Sequence, residues 1–398
     1  MKNDTTPISE LKRRTAAFQE LLVRQGLEGA LVLQNTDLFY FTGTIQQGLL
    51  YIPAEGVPLY MVRKELGRAR AESALEHIVP VRGFREAPAR FAEYGLPIPR
   101  TLGMELDVVP VAVFRRIAEL FPESAIRDVT PLIRRVRSIK SSYELEWMRA
   151  AAEMVTALCG KAGGFIREGR LEQEVAADLE HEVRMLGHQG LLRMRAFNCE
   201  IFMGQFMSGA NAAIPAYLNA PLGGPGPNPC VGRGCGWKRI GRNEPVLFDY
   251  TGAIGGYLSD MTRIFVIGAL EDDLRRGYDE MVEVQELMKT LVRPGESWSA
   301  VYAACLDLVR RQENAERFMG APGAQVPFIG HGIGLEIDEY PFIAGGFENF
   351  VFEENMTFAF EPKLVFPGRG AVGIENTFVV TAEGPQSLTL APEHLMVL

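Results

Sequence analysis

The stretch "VLFDYTGAIGGYLSDMTRIFVIG", residues 246–268, decides how the second half of this chain folds. Residues 245–251 and 257–267 are strand-like, and "GAIGG" between them supplies the glycines that a tight turn needs. The segment therefore reads as a β-hairpin. Antiparallel pairing brings Asp249 and Asp260, eleven residues apart, onto one face. An unpaired buried carboxylate is costly, and two side by side also repel. Taken alone, the pair is either two solvated strand-end acids or two acids offset by a divalent cation.

Three later segments carry more such groups. "FIGHGIGLEIDEYP" sets His331 in a glycine-rich frame, with Asp338 seven residues on. "TFAFEPKLVF" places Glu361 after an apolar run, and "VGIENTFVVT" places Glu375 at the head of a strand. Four carboxylates and one imidazole form a mixed oxygen and nitrogen donor set. That set suits two adjacent divalent ions of the Mn, Co, Fe or Zn type. Such a pair acidifies a bridging water and yields hydroxide near neutral pH.

The rest of the chain bounds the possibilities. Its 398 residues favour two domains, and the 47% apolar content is that of a globular protein. A net charge of −9 argues against a nucleic-acid partner. No apolar run reaches the roughly 18 residues of a membrane span. "MKNDTTPISELKRRTAAFQELL" lacks the apolar centre of a signal peptide, so a cytoplasmic location is expected. Five cysteines, an odd and scattered number, do not suggest a disulfide framework. Cys230 and Cys235 have no second Cys or His pair nearby and read as loop thiols rather than a zinc site.

Strands alternating with helices in the first part indicate an α/β layer structure. Residues 8–26 read as an amphipathic helix, "GALVLQN" as a strand, and "DLFYFTG" as a strand ending in a turn. "LLYIPAEGVPLYMV" reads as two strands joined at Glu55 and Gly56. Ser142 is the expected cap of the helix that follows, with Glu144 or Glu146 in its first turn. The domain boundary is set there, giving domains 1–140 and 141–398. Further helices are expected at 143–162, 171–187, 271–292 and 298–312. The turn-rich stretch 221–236 reads as a loop shaping the mouth of the site.

The order Asp, Asp, His, Glu, Glu, with "GYLSDMTRIF", "GHGIGLEIDE", "FEP" and "GIEN", resembles the pita-bread metallopeptidases. That family includes methionine aminopeptidases, Xaa-Pro aminopeptidases, prolidases and the metal-free creatinase. "DLFYFTG", "GMELD" and "IKSSYELEWMRAAA" are similar to its creatinase-type N-terminal domain. The resemblance implies an α/β (α+β) chain with a pita-bread catalytic domain, two divalent ions, and Asp249, Asp260, His331, Glu361 and Glu375 as ligands. Asp260 and Glu375 would bridge, and Glu361 would also shuttle a proton. It implies small peptide substrates and a homodimer.

The chain departs from that family at three places. Ala216 in "SGANAAIPAYLN" stands where a histidine is expected, Asp338 where a second is, and Gly373 where Xaa-Pro enzymes often carry arginine. Losing one oxyanion donor typically costs about 2.7–4 kcal/mol of transition-state stabilisation. The leading expectation is an Xaa-Pro dipeptidase or aminopeptidase. One alternative is a metal-dependent lyase or other hydrolase with Asp338 as base, as in dimethylsulfoniopropionate lyases of this fold. A cation–π cage of Phe202, Tyr217 and Tyr340 would favour a cationic substrate. Ala216, Tyr217 and Tyr340 are the candidate substrate-binding residues. The remaining alternative is a non-catalytic metal-binding or interaction protein.

Overall fold

Alternating apolar and helical segments build the first part of the chain, as the composition of its runs demands. The computed structural model describes residues 5–398. Internal packing separates them into two units, one running to Arg137 and including Ala196–Asn198, the other comprising Ser138–Arg195 and Cys199–Leu398.

The first unit contains strands β1 (Gly29–Val32), β2 (Gly48–Pro53), β3 (Leu59–Val62), β4 (His77–Pro80), β5 (Thr101–Met104) and β6 (Ala125–Asp128). They form one sheet in the order β4-β3-β2-β1-β5-β6. Its antiparallel pairs are β1 with β2 and β2 with β3, and its other pairs are parallel. Helices α1 (Ile8–Arg24), α2 (Asn35–Thr42), α3 (Leu66–Glu72), α4 (Ala87–Glu93), α5 (Val111–Leu120) and α6 (Thr130–Ser138) accompany it. Leu31, Tyr51, Met61, Phe91, Leu102 and Ile117 share one core.

The expected strand "DLFYFTG" is instead α2. Gln34 accepts a hydrogen bond from Asp37 N at its start, and Gly43, at φ +78°, ends it in the left-handed region. Those two caps decide a short apolar run that periodicity alone leaves ambiguous.

The second unit opens with α7 (Ser142–Ala162) and α8 (Glu172–Met185). The cap of α7 is Ser141, not Ser142. Its hydroxyl accepts from Glu144 N while Glu144 accepts from Ser141 N, a reciprocal capping box. Next come β7 (Gly204–Ser208), β8 (Val246–Ile254) and β9 (Tyr257–Val266), then α9 (Asp272–Leu291) and α10 (Trp298–Val309). Strands β10 (Phe328–Ile333), β11 (Ile337–Ala344), β12 (Thr357–Phe360), β13 (Lys363–Phe366), β14 (Gly370–Gly373), β15 (Asn376–Thr381), β16 (Gly384–Ser387) and β17 (Met396–Val397) complete it.

These strands form two larger sheets, β17-β9-β8-β7 and β11-β10-β12-β15-β16, and the hairpin β13-β14. The first arm of the β8–β9 hairpin runs further than expected, to Ile254, and the second starts at Tyr257 as expected. Only Gly255 and Gly256 remain between them, at φ +61° and +91°, as a two-residue type I′ turn requires. Residues alternate faces along both arms. Phe248, Tyr250, Met261 and Phe265 pack with α7 and α8, whereas Leu247 and Ile264 pack with Tyr278 and Met281 of α9. Parity puts Asp249 and Asp260 on the Leu247 and Ile264 face.

Candidate metal centre

The register of the hairpin fixes the first two acids. Asp249 lies opposite Thr262 and Thr251 opposite Asp260, so the aspartates are diagonal neighbours on one face. Asp260 Oδ1 accepts from Thr251 Oγ1 at 3.1 Å and Met261 N at 3.0 Å. Its backbone exchanges hydrogen bonds with the Thr377 hydroxyl. A β-bridge between Thr262 and Glu375 brings in the head of β15, and Thr262 Oγ1 donates to Glu375 Oε2 at 2.7 Å. Behind them, fully buried Arg263 donates to the carbonyls of Thr262 and Glu375, to Asn376 Oδ1 and to Ala391 O. Through five hydrogen bonds, the fifth to Pro392 O, that guanidinium clamps β9 to the head of β15 and to the Ala391–Pro392 segment.

His331 comes from β10, paired with Ala359 of β12 and Phe342 of β11. Its Nδ1 lies 3.1 Å from Gly332 O, so in the neutral ring the hydrogen-bonding tautomer places the proton on Nδ1 and the lone pair on Nε2. Nε2 faces Glu361 Oε1 at 3.8 Å. Asp338 stands on the other side of the ring, 3.6 Å from Nδ1, half-buried and at φ +67°.

The structure brings one ligating atom each of Asp260, His331 and Glu375 within 4.8 Å of one another, and all three residues are buried. Asp249 and Glu361 are near but differently engaged. Lys363, 1% exposed, places Nζ 2.5 Å from Glu361 Oε2, 3.0 Å from Glu375 Oε2 and 3.7 Å from Asp249 Oδ2. This lysine was absent from the expected set. Its signal was in "EPK", because residues two apart in an extended segment share a face.

Electrostatics follow from crowding and burial. Burial, with Glu375 and Asp249 adding repulsion, pushes Asp260 well above the usual carboxylate range. Burial raises Glu361 to about 7 against the pull of Lys363. For Glu375, burial is outweighed by Lys363, His331 and the Thr262 hydrogen bond, and its pKa falls. Burial opposes charge on His331, but Asp338, Glu361, Glu375 and Asp260 carry its pKa up to about 9. Acids this buried and mutually repelling fit a bound cation, as do the oxygen and nitrogen donors that converge.

The 221–236 loop folds back on itself and onto the unit. Gly224 N donates to Ile214 O, Gly234 N to Gly223 O, and Gly226 N to Gly234 O. Gly226, at φ +63°, lies so close to Val231 O that a Cβ would stand 1.5 Å from it. Ala216 packs against Gly223, whose Cβ would sit 2.4 Å from the Ala216 nitrogen. Buried Glu172 ties the end of the loop to the segment that precedes it, accepting from Ser208 N and Oγ, Asn211 Nδ2 and Gly236 N. The loop also delivers Arg233. Oriented to satisfy its neighbours, the Gln205 amide accepts from Arg233 Nη2 at 2.7 Å and Nε at 3.1 Å. Gln205 is the cross-strand partner of Asp249 on β7, and Arg233 Nη1 is buried without a hydrogen-bond partner.

The expected aromatic cage is not one group. Tyr340 packs with Trp298, Phe342 and Phe350 at ring centroid separations of 5.5, 5.7 and 5.8 Å. Tyr217 and Phe202 are exposed beside Gly232 and Gly234 of the loop. Cys230 is exposed, Cys235 is half-buried, and neither is bonded to another cysteine. No helix among the described residues is long and apolar enough to cross a membrane.

Residues 146–382 match the model of metallopeptidase family M24, and residues 14–139 match the creatinase/prolidase N-terminal domain. The chain belongs to metallopeptidase family M24 and is a hydrolase, and the family implies divalent metal ions. Among its relatives, Xaa-Pro dipeptidase of Pyrococcus furiosus is 26% identical over 97% of this chain and all of the relative. Probable dipeptidase PepE of Mycobacterium tuberculosis is 27% identical, covering 97% of this chain and 96% of the relative. Dipeptidase PepE from Mycobacterium ulcerans has a TM-score of 0.81 at 25% identity, with 99% of each chain covered. Xaa-Pro dipeptidase from Bacillus anthracis shares the fold at a TM-score of 0.82 and 24% identity, covering 98% of this chain and all of that one. These likenesses favour a metal-dependent dipeptidase over the lyase and non-catalytic alternatives.

Proposed function

We propose that the protein is a metal-dependent dipeptidase acting on small peptides with a free C-terminal carboxylate, prolyl dipeptides among them. The observation that carries this reading is the convergence of buried Asp260, His331 and Glu375 within 4.8 Å, in an M24 chain. Those three would hold a divalent ion of the Mn, Co, Fe or Zn type, with Asp249 and Glu361 at its margin. When bound, the ion supplies Lewis acidity and an acidified water.

The chain's own residues do the rest. Gly332 O and Asp338 orient His331 through Nδ1 and leave Nε2 directed at the ion position. Asp338 is therefore a positioning residue in this reading rather than the base. Glu361 takes the proton released in attack and returns it to the leaving amine. Its Oε2 is held by Lys363, while Oε1 remains on the His331 side. Ala216 provides no hydrogen-bonding side chain, so its contribution is space beside the loop. Tyr217, exposed on that loop, would contact the substrate side chain, whereas Tyr340 supports the strand that carries Asp338. Arg233 has a free buried Nη1 beside Asp249 and would receive the substrate carboxylate.

The test is a panel of dipeptides assayed with Mn, Co, Fe and Zn in turn. Cleavage should vanish on chelation and return with metal. Amidating the substrate C-terminus should lower kcat/KM about 10–150-fold, the equivalent of a charge-assisted contact worth about 1.5–3 kcal/mol. Arg233→Met should erase that preference. A fully metal-loaded protein that cleaves no dipeptide refutes the proposal. A homodimer and a cytoplasmic location also belong to this reading, the former tested by sedimentation and the latter by cell fractionation.

A further inference from the structure

Three of the five carboxylate and imidazole groups expected to hold metal are already gathered around a cation of the chain itself. Lys363 Nζ reaches Glu361 at 2.5 Å, Glu375 at 3.0 Å and Asp249 at 3.7 Å. An ammonium so placed sits where carboxylates would otherwise surround an ion. Resting on the metal-dependent reading above, we infer that the Lys363 ammonium replaces one of two metal ions, so that the centre holds a single divalent ion.

The fold builds this arrangement deliberately into a hairpin. Lys363 opens β13 and lies directly across from Gly373 at the end of β14. A Cβ at position 373 would stand 2.4 Å from Pro362 O, 2.8 Å from Lys363 Cα and 2.9 Å from Lys363 Cγ. Only a residue without a side chain leaves room for the lysine stem there. Met319 N donates to Lys363 O at 2.8 Å and fixes the strand from its other side. The lysine is 1% exposed, so it is not a surface side chain that has strayed inward.

Charge is compatible with the same partition. Four ionised carboxylates and a neutral imidazole carry four negative charges. With the Lys363 ammonium in place, two divalent ions would leave the centre one positive charge in excess, whereas one ion and the ammonium offset three of the four. The donors sort accordingly: Asp260, His331 and Glu375 converge on one point, and Asp249, Glu361 and Glu375 share the ammonium. Glu375 serves both, one group between two cations. An ammonium has a fixed charge and three donors but no open coordination position. It anchors Glu361 and Asp249 without activating a water.

The test is metal stoichiometry on the full chain. Protein stripped with a chelator is titrated with Mn²⁺ alone, followed by calorimetry, elemental analysis and electron paramagnetic resonance. Wild type should take up one Mn²⁺ per chain and show the six-line pattern of an isolated ion. Lys363→Arg keeps the charge and should also stop at one. Lys363→Gly opens the position and should take up two, with the broadened spectrum of spin-coupled ions. Two coupled Mn²⁺ in the wild type overturn the inference while leaving the dipeptidase reading intact. A folded wild type that binds none overturns both. If Lys363→Gly does not fold, the wild-type and Lys363→Arg stoichiometries still decide.

Discussion

Replacing His188 with glutamine tests how the scaffold behind the metal centre responds to acid. His188 is 4% exposed and follows α8. Its Nδ1 accepts from Gly190 N at 2.8 Å, so Nε2 carries the proton and donates to Thr251 O at 3.1 Å. Thr251 in turn donates through its hydroxyl to Asp260. A second proton on the ring would set an N–H against the Gly190 N–H. Burial lowers the His188 pKa from 6.5 to about 4, with Arg184 assisting against the Thr251 hydrogen bond. The sign follows from proton binding. Above pH 6.5 the ring is neutral in folded and unfolded chains alike. As pH falls below that value the unfolded chain takes up a proton that the folded chain refuses, and stability declines until the folded pKa is reached. Each tenfold difference in proton affinity is worth about 1.4 kcal/mol. The full effect is therefore about 3 kcal/mol, of which about 2 kcal/mol is lost by about pH 5. Glutamine keeps one donor and one acceptor but does not titrate. Thermal unfolding of wild type and His188→Gln at about pH 7.5 and 5 isolates the term, because acids common to both proteins cancel. The loss on acidification should be smaller in the variant by about 2 kcal/mol, or about 4–8 °C in Tm for a unit of this size. Equal losses in the two proteins would refute the reasoning.

Two other substitutions probe how the site is framed. Glu172→Ala leaves the donors of Ser208, Asn211 and Gly236 buried without an acceptor, so denaturant unfolding should show a loss of at least about 3 kcal/mol. Hydrogen exchange at Gly236 should rise with it, and unchanged protection there would contradict the anchoring of the loop. Ser141→Ala should cost about 1 kcal/mol through loss of the α7 capping box, whereas Ser142→Ala should change stability by less than about 0.5 kcal/mol.

Local patterns carried most of the architecture. The β8–β9 hairpin was legible because glycines sit where a turn needs positive φ and apolar residues alternate on either side. The long helices α7, α9 and α10 were legible from their apolar spacing. The short run "DLFYFTG" was not, because seven residues hold too few periods to separate helix from strand, and its caps decided it. The ligand candidates could be named from the sequence because acids in apolar strands are conspicuous. The companions of those acids could not. Arg233 stands in a loop without periodicity, and its role depends on the loop folding onto Gln205.

What the amino-acid order determined by itself was the β8–β9 hairpin, the face its two aspartates share, and that those acids require positive charge nearby. Tertiary structure alone decided where that charge comes from. Lys363 reaches Asp249 and Glu375 across 114 and 12 residues of chain, respectively, and only the meeting of β8, β13 and the head of β15 brings them together. Neighbours along the chain set conformation through backbone sterics and hydrogen bonding. The balance of buried charges depends on distances through space, and these come into being only when the sheets pack.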